Sequence, residues 1–78
     1  MDEARPVITY QTDVMSTEET AIDISIDRPF NGFFGVRMLV PTPKGSVEEQ
    51  QAKILDWVKR RVGQHVGDAV NHVTFQAV

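Results

Sequence analysis

The stretch SVEEQQAKILDWVKRRVGQHV, residues 46–66, constrains this chain most, because it is the one segment with a helical period. Ser46 stands where an N-cap belongs, and Glu49, three residues on, completes a capping box. Leu55, Val58, Val62 and Val66 recur at helical spacing, with Ile54 and Val47 flanking them. Acids in the first turn and Lys59, Arg60 and Arg61 further on suit the helix dipole. Gly63 and Gly67 place the end of the helix between 62 and 68.

A single amphipathic helix must bury its stripe against something else the chain builds, and on both sides the apolar period drops to two. In PVITYQTDV (6–14), Ile8, Tyr10, Thr12 and Val14 share a face. In AIDISID (21–27), Ile22, Ile24 and Ile26 point one way and Asp23, Ser25 and Asp27 the other. FFGVRMLV (33–40) is a third strand, less strictly alternating, with Arg37 among apolar neighbours. NHVTFQAV (71–78) sets Val73, Phe75 and Ala77 against His72, Thr74 and Gln76 and is read as the last strand. MSTEET joins the first two strands; Ser16 and Glu19 have capping-box spacing, but the segment is too short for more than one turn. PTPKG is a loop, since prolines cannot donate to a ladder.

The order is therefore β-β-β-α-β, an α+β, two-layer fold in which one mostly antiparallel sheet of about four strands carries a single helix on one face. The last strand follows a crossover and is expected parallel to a strand, beside the first or the third. The sheet's other face is left for water or a partner.

RPFNGFFG (28–35) joins the second and third strands, and Asn-Gly is a strong hairpin signal. A two-residue loop would set Ile26 opposite Arg37 and place Arg37 and Leu39 on the isoleucine face. A three-residue loop, Phe30-Asn31-Gly32 with Gly32 left-handed, sets Ile26 opposite Val36, Ile24 opposite Met38 and Ile22 opposite Val40. A one-residue slip reverses every face, so the apolar pattern selects the longer loop. Arg37 then faces Ser25, diagonally between Asp23 and Asp27. Phe34 falls on the core face, Phe30 lies in the loop, and Phe33 sits opposite Pro29 on the other face. Phe30 and Phe33 are expected either to fold against the helix end or to form an aromatic contact tip.

The chain of 78 residues is read as one small domain over 1–78, with 1–5 as a flexible arm. A core of this size supplies about 3–5 kcal/mol net unless something assists it. With no cysteine, disulfides and thiolate zinc sites are excluded, which leaves a homodimer or a foreign partner as the assisting surface. The N-terminus MDEARP is acidic and no apolar run follows, so a signal peptide is not expected; nor is a membrane span, and the expectation is a cytoplasmic protein. The net charge of −3 argues against generic nucleic-acid affinity. Residues 1–42 hold seven acids and three bases, net −4, whereas 43–78 hold four acids and five bases, net +1. An acidic half joined to a slightly basic one suggests two faces of different potential.

Catalytic signals are sparse. Asp23 and Asp27 lie roughly 13 Å apart along one strand face, too far for a shared-proton dyad. His65 and His72 lack the spacing of metal ligands, and His65, near the apolar stripe, reads as a core or boundary residue. No nucleophile has a base beside it, and GQHVG matches neither a Walker loop nor a dinucleotide fingerprint. The expectation is a non-enzyme without cofactor or metal. Trp57 lies off the apolar stripe with Lys53, Arg60 and Arg61 nearby, and is expected either to bend over a sheet edge or the N-terminal arm or to serve as a stacking shelf or a protein hot spot.

In size, acidity and catalytic bareness the chain resembles, at class level only, the small inhibitors and adaptors that phages and mobile elements carry. Such a protein would bind another protein by steric occlusion or by acidic mimicry of nucleic acid. Its contact residues would come from Asp23, Asp27, Phe30, Phe33 and Arg37, or from the Trp57 flank. The alternatives are a nucleic-acid-binding domain using Lys53, Trp57, Arg60 and Arg61, and a homo-oligomeric assembly protein.

Overall fold

A computed structural model of the protein describes residues 5–78. Most of the arm expected at 1–5 lies outside the described residues, and Arg5 is exposed. The elements are β1 (Val7–Val14), β2 (Glu19–Phe30), β3 (Phe33–Pro41), α1 (Val47–Val66), a 3₁₀ stretch (Gly67–His72) and β4 (Thr74–Ala77). They form one four-stranded mixed sheet in the order β3-β2-β1-β4. β2 runs antiparallel to β1 and to β3, and β4 is parallel to β1. This is the α+β, β-β-β-α-β architecture expected, with the last strand taking the place beside the first.

The helix packs on one sheet face because both surfaces are apolar at their own period. Ile8, Ile22, Ile24 and Val40 of the sheet meet Ile54, Val58, Val62 and Val66 of α1, and Phe33 and Val73 complete the core. The buried row steps by four, a ridge along the helix. Leu55 is only half-buried and Val47 is 67% exposed, so the stripe is rotated toward Ile54 from the one expected.

Ser46 Oγ accepts the Glu49 N–H at 3.1 Å, and Glu49 Oε1 accepts the Ser46 N–H at 3.3 Å, the expected capping box. The helix ends at Val66, within the expected window, where Gly67 takes φ 61°. Residues 71–72 are not strand: Ala69 and Val70 pack back on the core in the 3₁₀ stretch, and β4 starts at Thr74. Ser16 Oγ accepts the N–H groups of Glu18 and Glu19, both at 3.1 Å, which makes a turn and no helix. β2 consequently begins at Glu19 rather than 21.

The β2–β3 hairpin differs from expectation in how it absorbs its odd residue. Phe30 pairs with Phe33 across a two-residue Asn31-Gly32 loop, with φ 50° and 81°, both left-handed as in a type I′ turn. Below the tip the register slips by three: residues 26–29 of β2 stand against Phe34 alone, and pairing resumes at Ser25–Gly35. Ile24 therefore faces Val36 and Ile22 faces Met38, each two residues from the partner expected. An odd slip and an odd loop change faces alike, so Val36, Met38 and Val40 still join the isoleucines on the helix side.

The slip also exchanges two phenylalanines. Phe33 is 2% exposed and Phe34 is 71% exposed, the reverse of the expected placement. Gly35, at φ 147°, sits between Phe34 and Val36 and breaks the alternation, so Phe33 and Val36 both turn inward.

Candidate functional site

On the open sheet face, Asp23 lies directly opposite Arg37, correcting the expected Ser25–Arg37 pairing. Arg37 Nη1 donates to both carboxylate oxygens of Asp23, at 2.9 and 2.8 Å, and both side chains are about half exposed. Asp27 Oδ1 accepts the Val7 N–H at 3.0 Å where β1 begins. The hydroxyls of Thr9 and Ser25 share a hydrogen bond of 2.9 Å between the two carboxylates. Both aspartates are thus engaged in holding the sheet.

At the hairpin tip Phe33 is withdrawn from any partner and its ring lies against His65, which is itself exposed rather than core. Phe30 is half-buried against the core. Phe34, assigned to the core from the sequence, is the exposed aromatic here.

Lys53, Trp57, Arg60 and Arg61 share one helical flank but do not form an open stacking shelf. Trp57 folds onto the core and, with Lys53, lines a depression of about 410 Å³ against Pro41, Thr42, Pro43 and Lys44. Arg60 Nε forms an ion pair with Asp56 Oδ2 at 3.0 Å, one turn earlier. Arg61 is half-buried, and its Nε is buried with no hydrogen-bond partner among the described residues. Lys59 Nζ stands 5.8 Å from the centre of the Phe75 ring, a cation–π contact tying α1 to β4.

One concavity was not anticipated. A groove of about 620 Å³ opens between the first turns of α1 and the far end of β1. Tyr10, Thr12 and Val14 form its sheet wall, Val47 and Leu55 its helix wall, and Val78 closes one side. Val14 is 65% exposed, although it lies on the face that the helix covers elsewhere. Two features of the described residues accompany that exposure. β4 has four residues against the eight of β1 and pairs only with Val7 to Tyr10. The helix leans toward β2 and β3. Beside the groove, Thr42 Oγ1 donates to the Ser16 carbonyl at 2.9 Å and lies 2.8 Å from the buried Thr20 hydroxyl. The sequence signal was slight: Val14 and Val47 each end a periodic segment, and only the lengths of neighbouring elements determine whether such ends are covered.

Among the described residues no cluster of three or more histidines, aspartates and glutamates is placed to hold a metal ion, and no helix is long and apolar enough to cross a membrane. Comparison with protein-family models, curated proteins and solved structures finds no match to this chain.

Proposed function

We propose that this chain is a non-enzymatic protein-binding module, an inhibitor or adaptor that acts by steric occlusion. The observation that carries this reading is the apolar groove, with Val14 and Val47 bare on its two walls. Exposed apolar side chains gathered around a concavity are what a partner's side chains fill. Occlusion fits better than mimicry of a phosphate backbone, because Asp23 is paired with Arg37 and Asp27 with a backbone N–H. The flank of Lys53, Trp57, Arg60 and Arg61 is the weaker surface, since Trp57 is folded down and Arg60 is paired with Asp56.

Affinity capture from source-cell lysate with nuclease treatment tests this reading. Three baits are compared: the natural chain, Val47→Asp, and Lys53→Glu with Arg60→Glu. The expected result is a nuclease-resistant protein retained by the natural chain and by the helix-flank variant but lost with Val47→Asp. Recovery of nucleic acid alone, lost with the helix-flank variant, would replace the proposal with a nucleic-acid function. A stable multimer that captures nothing would replace it with an assembly role.

A further inference from the structure

The sheet ends on one side at β3, whose outer edge no described strand pairs. The N–H of Thr42 donates to the Glu18 carbonyl at 3.0 Å, in register with the Glu19–Pro41 pair. Hydrogen-bonded pairs alternate along an antiparallel ladder, so the even-numbered residues of β3 turn their backbone groups toward β2. Gly35, Arg37, Leu39 and Pro41 therefore turn theirs outward. Pro41, which lacks an N–H, stands where an edge strand tolerates proline. The edge is apolar on both sides of the sheet: Val36 and Met38 are half-buried on the helix side, and Leu39 is 58% exposed on the open side. The charge on this strand, Arg37, is drawn across to Asp23 of β2. Edges are ordinarily blunted by charge, proline or a bulge. Here the bulge stands at Gly35 and the proline at Pro41, and the run between them is unprotected.

The geometry points to a second copy of this chain as the occupant of that edge, β3 pairing antiparallel with β3 about a two-fold axis at Met38. The strand matches itself in this register. Arg37 exchanges both backbone hydrogen bonds with Leu39 of the second copy, and the Gly35 N–H meets the carbonyl of the second copy's Pro41. Met38 faces Met38 and Val36 faces Val40, which carries the half-buried apolar border across the axis on the helix side. On the open side Leu39 packs along the aliphatic stem of the opposing Arg37. A register centred on Arg37 is disfavoured, because it sets two guanidinium groups directly opposite each other. An isologous pair closes the edges of both copies at once. It also gives a small core the added buried surface that disulfides cannot supply in a chain without cysteine. The inference goes beyond the protein-binding reading and does not rest on it, since β2 separates β3 from the β1 wall of the groove.

Sedimentation equilibrium on the full chain, from about 1 μM to about 1 mM, tests the inference over the range where a small interface dissociates. The expected result is a monomer–dimer equilibrium. Leu39→Lys, at an exposed position, sets a charge opposite Arg37 of the second copy and should weaken the dimer about tenfold or more. Single-cysteine variants report the register, because the natural chain has no cysteine. Met38→Cys should form an intermolecular disulfide under mild oxidation about tenfold faster than Arg37→Cys, since facing residues of a non-hydrogen-bonded pair bring their Cα atoms to about 4.5 Å. Should Leu39→Lys fail to fold, the cysteine pair keeps the inference open to refutation. Three outcomes overturn it: the chain stays monomeric throughout, folded Leu39→Lys dimerises as tightly as the natural chain, or Arg37→Cys crosslinks faster than Met38→Cys. A monomeric chain whose captured protein is lost with Leu39→Lys overturns it too and gives the edge to a foreign strand. If no dimer forms yet a captured partner is still lost with Val47→Asp, only the dimer inference fails. If the dimer forms and no bait captures a protein, the protein-binding reading fails and the dimer stands.

Discussion

The ring of Phe33 lies 5.5 Å from the ring of His65, tilted by 52°, so the hairpin tip is pinned to the last turn of α1. Aromatic pairs at this spacing favour tilted over stacked-sandwich geometry. Phe33→Ala should cost about 3–5 kcal/mol through the cavity it leaves. That approaches the net stability of about 3–5 kcal/mol that a core this small supplies. Urea titration followed by Trp57 fluorescence should show no cooperative transition for Phe33→Ala, while Phe34→Ala stays within about 0.5 kcal/mol of the natural chain. A normal transition in Phe33→Ala would contradict its burial.

Gly35 is held by a close approach as well as by its dihedral. A Cβ there would stand 2.9 Å from the Ile24 carbonyl oxygen, at φ 147°. Gly35→Ala should therefore destabilise by about 1–3 kcal/mol. At Gly32, φ is 81° but no atom stands within 4 Å of an added Cβ, so Gly32→Ala should cost only about 1–2 kcal/mol. Thermal melts of the two variants give the ranking, and a larger loss at Gly32 would place the strain at the turn instead of the bulge.

The Asp23–Arg37 pair is surface-held and should contribute little. A double-mutant cycle to alanine should give a coupling of about 0.2–1 kcal/mol. It should shrink in about 1 M salt, where the Debye length is about 3 Å. The same cycle between Asp27 and Arg37 should show none above error, because Asp27 is engaged by Val7. A larger Asp27 coupling would restore the diagonal pairing that the sequence suggests.

Removing the helix cap should be felt throughout so small a molecule. Ser46→Ala should lose about 1 kcal/mol, read as a shift of the urea midpoint at unchanged slope. Glu49→Gln keeps the reciprocal acceptor and should shift the midpoint less. Equal losses in the two variants would argue that the carboxylate charge near the helix dipole, not the cap geometry, is what matters.

The span of the helix could be read because its cap, period and terminal glycine agree with one another, although its buried row runs through Ile54 instead of Leu55. Face assignment in the hairpin was legible for a similar reason: Ile22, Ile24, Val36 and Met38 must share the buried side. The residue pairs were not, since a three-residue loop and a two-residue loop followed by an odd bulge satisfy the same parity. Gly35, a glycine inside a strand, was the available hint of a bulge. Trp57 is partly buried against the core, closer to the covering role than to an open shelf, and it lines a depression with Pro41, Thr42 and Pro43. The groove lay beyond reach because its walls come from β1 and α1, segments whose spacing in the fold neither pattern carries.

The strand order has a consequence for biosynthesis. β1 is paired on one side by β4, which is made after every other described strand. The β1–β2–β3 meander can assemble from neighbouring segments, but its isoleucine face stays uncovered until α1 is complete. The β1–β4 contact is the most distant in sequence among the described strands, and loop closure makes such contacts slow to form. Released chains truncated before residue 74 should therefore be held by chaperones or proteolysed, whereas chains that include β4 escape.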